Sequence, residues 1–253
     1  MSALLSVELR RFFARRLVKA LSVMALAGIA VAGILVAVNS RPGDEFHISH
    51  VATFFEGTSF LFAIGGWVIG ASLAGAEWQA GTVTTLLTWE PRRLRVLVAK
   101  AAACALGIIA LVATLDVVFG LVLSLVAATR GSIAGLDMGL FVRAVSGLVL
   151  RIAAISAIGS LLGLAIAMVA HNTGAAIGIG FVYLAVVEGI MRGLKPGWAR
   201  WLIGDNANVL VLGGDTGFPP IGRSVWGAAL VLALYVAGLL FVAAASFRAR
   251  DVG

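Results

Sequence analysis

The chain alternates between long apolar stretches and short polar connections. Six stretches approach or exceed the roughly 20 consecutive apolar residues that an α-helix needs to cross a membrane. They cover about 18–38, 57–76, 96–127, 142–170, 174–191 and 224–246. The pattern predicts an all-α integral membrane protein with six transmembrane helices. We expect one polytopic domain over residues 1–253, without a soluble domain.

The residues before the first stretch have the pattern of an amphipathic helix. Leu5, Leu9 and Phe12 repeat at helical spacing on one face. A basic stripe runs beside them, formed by Arg11, Arg15 and Lys19. We predict a helix over residues 2–17 that lies along the membrane surface. The alternative is a positive anchor that only fixes the topology. The stretch that follows is long and lacks a cleavage site, so we expect an uncleaved span and not a signal peptide.

The composition agrees with a membrane protein and sets its orientation. Hydrophobic residues make up 61% of the chain and charged residues 12%, about half the roughly 25% of soluble domains. Eleven of the 19 lysines and arginines flank the spans on one side: Arg10, Arg11, Arg15, Arg16, Lys19, Arg92, Arg93, Arg95, Lys100, Arg248 and Arg250. This bias predicts that both termini are cytosolic. The net charge of +7 belongs to a rim that faces anionic lipids, and nucleic acid is not an expected partner.

A polar island between the second and third stretches is more elaborate than a turn requires. Gly81-Thr82 breaks the preceding helix, and Pro91 ends the segment because it disfavours helical geometry at the residue before it. Between them, Val83, Leu86 and Leu87 recur at i, i+3 and i+4, which predicts a short amphipathic helix whose apolar face fits a groove on a partner. The alternative is an interfacial helix that packs only on its own bundle.

The spacing in this island resembles a known family. From Glu77 the order is acid, three residues, Gly-Thr, three residues, Leu-Leu, three residues, Pro-x-Arg, and then Lys100 before the next span. This closely resembles the cytosolic coupling region of type-2 ATP-binding-cassette exporters, the ABC-2 type permeases. The resemblance implies that the following residues couple to an ATPase: Glu77, Gly81, Thr82, Val83, Leu86, Leu87, Pro91, Arg92, Arg93 and Arg95.

The resemblance also implies how such a protein works. The permease would form the translocation path as a dimer with a second copy or a paralogous permease, in the bacterial plasma membrane. A separate ATPase subunit would hold ATP and magnesium. The cargo would be lipids, drugs or antibiotics, or other amphiphiles moved outward. The chain itself has no Gly-Lys-Ser/Thr sequence at any of its three lysines, so we expect no ATPase site of its own.

Two ionisable residues lie within predicted spans. Asp116 and Arg151 are each about 15 Å from the outer ends of the third and fourth spans at 1.5 Å per residue. Intramembrane charges usually pair or face a water-filled cavity. Equal depth on adjacent helices predicts an interhelical ion pair, and a substrate-path or proton-relay site is the alternative. Glu188 is predicted to reach the outer interface.

The remaining features of the sequence lead to simpler structural predictions. The Gly66, Gly159 and Gly174 positions each begin a Gly-x3-Gly motif, which predicts close helix contacts. A short helix or re-entrant piece is predicted between Gly197 and Leu212. The outer loop contains Asp44, Glu45, His47 and His50, and we favour a solvated loop over a metal site there because the spacing is loose. Cys104 is the only cysteine and lies inside a span.

Two other function classes compete with an ATP-driven permease. A secondary transporter driven by an ion gradient would use Asp116 to carry a proton. An intramembrane protease would need a serine nucleophile and a histidine base within the membrane. His47 and His50 lie in a loop and His171 lies at a turn, and Gly-x-Ser-Gly does not occur. Neither class accounts for the polar island.

The predicted topology is testable with reporter fusions. Fusions after Ala76, Thr129, Asn172, Gly217 and Gly253 should report inside, outside, inside, outside and inside, because the basic flanks hold both termini in the cytosol. The measurement is paired alkaline phosphatase and fluorescent-protein activity in whole cells. An external C-terminus would contradict the topology.

Overall fold

The computed structural model describes residues 2–39, 48–82, 88, 92–130, 137–215 and 220–249. These residues form nine α-helices, a π-helical turn and a 3₁₀ turn, and the described ranges contain no strand. The helices are α1 Ser2–Ala14, α2 Arg16–Asn39, α3 Ile48–Gln79, α4 Arg93–Arg130, α5 Met138–Ala170, α6 Thr173–Val182, α7 Glu188–Leu194, α8 Ile203–Leu212 and α9 Val225–Ala249. The π-helical turn Tyr183–Val187 joins α6 to α7, and the 3₁₀ turn Pro196–Trp201 precedes α8.

Six helices in the described ranges are long and apolar enough to cross a membrane, which confirms the all-α bundle with six spans. They are α2, α3, α4, α5, the continuous run α6 to α7, and α9. With 38 residues, α4 is about 57 Å long at 1.5 Å per residue. The hydrocarbon core is about 30 Å thick, so α4 is longer than a perpendicular crossing requires.

Side chains in the connections fix where two helices begin. The carboxylate of Asp137 accepts the backbone N–H groups of Gly139 and Leu140 at 2.8 and 3.1 Å and starts α5. The side chain of Asn172 accepts the N–H of Ala175 at 3.0 Å and starts α6. These caps satisfy amide groups that a helix start leaves without intrahelical partners. His171 takes a positive φ of 55°, so α5 reverses into α6 within two residues.

The closest helix contact in the bundle joins α3 to α5 through reciprocal glycines. A Cβ atom on Gly66 or Gly70 would collide with the backbone carbonyl oxygens of Ser156 and Ser160, respectively. In return, a Cβ on Gly163 would collide with the carbonyl oxygen of Trp67. Only glycine lets the two backbones approach this closely, so the contact predicted for the Gly66 and Gly159 motifs is confirmed.

The third motif does not make such a contact. A Cβ on Gly178 would meet nothing within 4 Å, because this face of α6 is directed away from the bundle. Instead, Gly180 packs over the ring of Trp67, whose indole N–H donates to the carbonyl oxygen of Ala176 at 3.1 Å. The packing prediction for Gly174 and Gly178 was therefore wrong, since spacing alone does not show which face of a helix is covered.

The N-terminal helix packs on the bundle. Phe12 is fully buried, and its ring fills the space above Gly107 of α4, where a Cβ would lie 2.7 Å from the ring. The helix ends at Ala14, earlier than the predicted 2–17, and Arg15 lies between α1 and α2. Arg15 therefore leaves the predicted basic stripe and turns inward, toward hydrogen-bond acceptors on α3.

The opposite end of the bundle carries the predicted helix between Gly197 and Leu212, which the structure shows as the 3₁₀ turn and α8. Glu188 does not reach outward as predicted, since it is only 1% exposed. Its carboxylate accepts the N–H of Gly204 at 2.8 Å and pairs with Arg192 at 3.0 Å, and Arg192 also bonds Asp205. Glu188 thus fastens the start of α8 to α7.

Asp215 organises the connection that leads into α9. Its carboxylate accepts the backbone N–H groups of Ile221, Gly222 and Arg223. These donors, the Ile221 amide above all, hold the pKa of Asp215 below its usual range. Of the four residues named for the metal hypothesis, Asp44, Glu45 and His47 lie outside the described residues. The fourth, His50, was predicted to lie in a loop, but α3 already begins at Ile48 and includes it.

The reciprocal glycine contact predicts a sharp difference between matched variants. Gly70→Ala and Gly163→Ala should each lower the free energy of unfolding by about 2 kcal/mol, because the added methyl group forces α3 and α5 apart. Gly178→Ala is the control, since open space surrounds it. The measurement is denaturant or thermal unfolding of the purified protein in detergent. Equal stability of all three variants would show that α3 and α5 do not touch through their backbones.

Candidate functional site

Parts of six helices meet at one end of the bundle, here called the N-terminal end. They are the end of α3, the start of α4, the whole of α1, the α5–α6 turn and the end of α9. The polar island leaves this end from α3 and returns to it at α4. The contacts of its two flanking helices therefore decide what the island is attached to.

A buried charge network, formed by Glu8, Arg15, Glu77 and Lys100, joins both flanks of the island to α1. The ammonium Nζ of Lys100 lies 2.9 Å from Glu8 Oε2 and 2.9 Å from Glu77 Oε1. Arg15 Nη2 lies 3.3 Å from the same Glu77 oxygen. The side chains of Lys100 and Glu8 are only 3% and 1% exposed. Two acids and two bases balance within the network, which lets the charges be buried.

Arg15 adds a second attachment between α1 and α3. Its guanidinium donates to the carbonyl oxygens of Ser72 and Leu73 at 2.8 and 3.0 Å. One planar side chain thus bonds a carboxylate and two backbone carbonyls at once, as the fork of N–H donors on arginine allows. These acceptors explain why Arg15 turns inward and why the helix is interrupted there.

The α9 end is attached to the same region. Arg93 Nη1 donates to the carbonyl oxygen of Phe247 at 2.9 Å, and the guanidinium lies 6.0 Å from the centre of the Phe247 ring. On the other flank, the ring of Trp78 stacks on His171 at 3.8 Å and meets Phe247 edge-on at 6.0 Å. The two flanks of the island therefore also contact α9 and the α5–α6 turn.

The structure places the predicted coupling residues as follows. Glu77 belongs to the charge network, and Arg93 bonds α9. Gly81 has a positive φ of 67° just after α3 ends, which confirms that the helix breaks there. The Thr82 hydroxyl donates to the Glu77 carbonyl oxygen at 3.3 Å. Arg92 is exposed and Arg95 is half-buried in the first turn of α4. Four residues lie outside the described ones: Val83, Leu86, Leu87 and Pro91.

Sequence reasoning missed several members of this site. It assigned Arg15 to a surface stripe and gave no role to Glu8, Trp78, His171 or Phe247. One signal was available for Glu8. This acid lies one turn after Leu5 and one turn before Phe12, within the apolar stripe of α1, where a charge needs a buried partner. The aromatic contacts depend on which helix ends meet, which the sequence pattern does not show.

The predicted pair between Asp116 and Arg151 is not formed. Asp116 is fully buried, and neither of its carboxylate oxygens has a hydrogen-bond partner in the described part of the chain. The Arg151 guanidinium lies against Gly213, at the end of α8. The prediction used depth alone, and depth does not determine which way each helix is rotated. The Arg151 cation instead lies at the C-terminal end of a helix, where the backbone dipole is negative.

The match to known families decides the identity of the chain. The sequence model described as ABC-2 family transporter protein matches residues 4–187. The chain belongs to this family. It is a multi-pass membrane protein and a permease of an ABC transporter, and the family implies partnership with an ABC ATPase subunit. The matched range includes the whole charge network, whereas α7, α8 and α9 follow it. A search of curated proteins found no significant match.

The charge network of this ABC-2 permease is testable by a double-mutant cycle. Glu8→Gln and Lys100→Met should each lower the free energy of unfolding by about 3 kcal/mol, because each removes a buried ion pair that offsets the desolvation of the charge that remains. The double variant should lose less than the sum of the two, with a coupling of about 1 kcal/mol or more. The measurement is denaturant unfolding of the purified permease.

Arg11→Gln provides the matched control. Arg11 also contacts Glu8, at 3.1 Å, but its side chain is 48% exposed. Exposed ion pairs contribute at most about 1 kcal/mol, so this change should have little effect. Strictly additive losses for Glu8→Gln and Lys100→Met would show that the two side chains do not interact.

Proposed function

We propose that this permease is the membrane subunit of an ATP-driven exporter in the bacterial plasma membrane, with both termini cytosolic. In this proposal the segment from Gly81 to Arg95 binds a separate ATPase, which holds ATP and magnesium. Two permeases, either two copies of this chain or one copy and a paralogue, form the translocation path. The cargo consists of lipids, drugs or antibiotics, or other amphiphiles.

The observation that supports this proposal most is the double attachment of the segment. Before it, Glu77 bonds Lys100 and Arg15, and after it, Lys100 bonds Glu8 and Arg93 bonds α9. A force on the segment would therefore act on α1, α3, α4 and α9 together. A loop that only reversed the chain direction would gain nothing from these buried contacts, which cost desolvation energy.

The exposed residues of the segment are consistent with a docking surface. Gly81, Thr82, Thr88 and Arg92 are all exposed in the isolated chain. Arginines in this position suit acidic groups on a partner protein, to which they form charge-assisted hydrogen bonds. The apolar face predicted for Val83, Leu86 and Leu87 would enter a groove on that partner.

The amphiphile cargo is supported by the character of the helices. The described spans expose large apolar side chains along their length, among them Phe60 on α3, Leu121 on α4 and Phe241 on α9. Where a second permease covers such side chains, they would form apolar walls, and apolar walls favour molecules that partition into lipid. Charged side chains within the described spans are few, and Asp116 and Arg151 do not lie together.

One observation favours a second candidate function. The buried carboxylate of Asp116 has no hydrogen-bond partner in the described part of the chain. Intramembrane acids without partners are found on ion and proton pathways. A transporter driven by an ion gradient would use such a group, although it would leave the attachments of the segment without a purpose.

The ATPase-docking proposal is tested by a pair of charge variants. Leu86→Asp should abolish co-purification of the ATPase and ATP-dependent transport, because it places a charge on the predicted apolar face. Thr88→Asp adds the same charge on the opposite face of the predicted helix, so it should keep both. The measurements are co-purification and transport in proteoliposomes, with membrane insertion checked by expression level.

Two outcomes would contradict the proposal. Unchanged ATPase binding and transport in Leu86→Asp would show that the ATPase docks elsewhere. Transport that continues without any ATPase, and stops when an ionophore removes the ion gradient, would support the second candidate. In that case Asp116→Asn should stop transport in a permease of unchanged stability.

A further inference from the structure

A cluster of tryptophans and basic residues lies at the end of the bundle opposite the charge network. It consists of the 3₁₀ turn Pro196–Trp201, Lys195 before that turn and Arg223 before α9. The run α6 to α7, Thr173–Leu194, starts at the N-terminal end and has 22 residues, which is about 33 Å at 1.5 Å per residue. This length matches the roughly 30 Å of a hydrocarbon core. The turn that follows it therefore lies at the level of the lipid headgroups.

The 3₁₀ turn directs both of its tryptophans away from the bundle. Side chains three residues apart in a 3₁₀ helix lie above one another. Ala199 and Leu202 are buried, whereas Trp198 and Trp201 are 55% and 50% exposed. Large amphipathic rings of this kind are most stable at the boundary between hydrocarbon and headgroups. The exposed face of the turn is thus suited to the membrane surface.

Two hydrogen bonds hold the turn in place. The amide group of Asn206, on α8, donates to the carbonyl oxygen of Arg200 at 3.0 Å. The hydroxyl of Tyr235, on α9, donates to the carbonyl oxygen of Trp201 at 2.9 Å. The turn is therefore attached to two helices, and its side chains are positioned in advance for a ligand, which lowers the cost of binding.

Three basic side chains lie over the tryptophan rings. Lys195 Nζ lies 5.5 Å from the centre of the Trp198 ring. The guanidinium carbons of Arg200 and Arg223 lie 5.7 and 5.1 Å from the centre of the Trp201 ring. At these distances the rings attract the cations. A guanidinium group stacked on a ring still presents N–H donors at its edge, where a phosphate can bind.

The three cations of the cluster have no carboxylate partner among the described residues. The acids around α8 are otherwise engaged, since Glu188 and Asp205 both pair with Arg192. Asp215 bonds backbone N–H groups, including that of Arg223, and does not pair with its guanidinium. The cluster therefore offers positive charge to an external anion at the level where lipid phosphates lie.

We propose that Lys195, Arg200 and Arg223, together with Trp198 and Trp201, bind the headgroup of an anionic phospholipid. The basic groups contact the phosphate, and the tryptophan rings lie against the glycerol and the start of the acyl chains. The inference requires only that the helices span a membrane. It does not depend on ATPase docking or on the cargo, so it stands or fails separately from the proposed function.

Photocrosslinking with two probes tests the site. The full-length permease is reconstituted in phosphatidylcholine nanodiscs that contain a small fraction of a lipid with a diazirine close to its glycerol. The probe is either phosphatidylglycerol or phosphatidylcholine with the same chains. Mass spectrometry should find the phosphatidylglycerol probe on residues 195–201 at least about fivefold more often, as expected from basic residues near an anionic lipid. Equal labelling by both probes would overturn the proposal, since the tryptophans would then be general interface anchors.

Charge removal assigns the preference to the cluster. Lys195→Gln, Arg200→Gln and Arg223→Gln should each lower labelling by the phosphatidylglycerol probe about fivefold and leave the phosphatidylcholine probe unchanged. Arg143→Gln is the matched control, because Arg143 is an exposed arginine near the start of α5, at the same end of the bundle, and is not part of the cluster. An equal loss in the control would overturn the proposal. If a variant fails to fold, the comparison of the two probes on the wild-type permease decides.

Two further measurements exclude other occupants. Excess inorganic phosphate at constant ionic strength should leave labelling by the phosphatidylglycerol probe unchanged, because the acyl chains also hold the lipid. Loss of labelling would show a site for free phosphate and would overturn the proposal. Efficient disulfide formation between copies through Leu194→Cys, in a Cys104→Ala background, would show that a second permease covers the cluster, and this would overturn it as well.

Discussion

The ammonium group of Lys100 constrains the whole N-terminal end of this permease. An ion of this size loses several kcal/mol of hydration when it is buried, and only close carboxylates recover that loss. Its two carboxylates come from different helices, Glu8 on α1 and Glu77 on α3, each 2.9 Å away. Separating any of the three helices would break at least one of these buried ion pairs. The Lys100 ammonium group therefore joins the two helices that flank the polar island to each other and to α1.

The reciprocal glycines carry this constraint deeper into the bundle. At Gly70 and Gly163 the backbones of α3 and α5 touch without side chains between them, so no flexible layer separates the two helices. A displacement at Glu77 would pass from α3 to α5 because packed interiors transmit strain. On α5, Ile155 packs against Leu210 and Val211 of α8. A continuous path of packed residues thus joins the charge network to the helix at the opposite end.

The parts of the structure that depend on local properties could be predicted from the sequence. Apolar length located the six spans, apolar residues and tryptophans located the helix before α9, and Gly81-Thr82 located the break after α3. The contacts that depend on how each helix is rotated about its axis could not be predicted from local sequence. Asp116 and Arg151 have matching depths but point to different surroundings, and Gly178 has the same spacing as Gly70 but faces away from the bundle. Glu8 was missed because its partner lies 92 residues away in the sequence.

An apolar groove between α2, α3 and α4 lies on α4 next to the residues that hold α1. Lys100 pairs with Glu8 of α1, and Phe12 of α1 packs over Gly107. The part of α4 that lines the groove begins at the next residue, Ile108. The α1–α2 junction at Arg15 also links the two sites, since α2 forms one wall of the groove. A change in the position of α1 would therefore shift both Phe12 and the adjacent wall. The packing of this wall and the attachment of the segment are therefore linked through contacts between neighbouring residues.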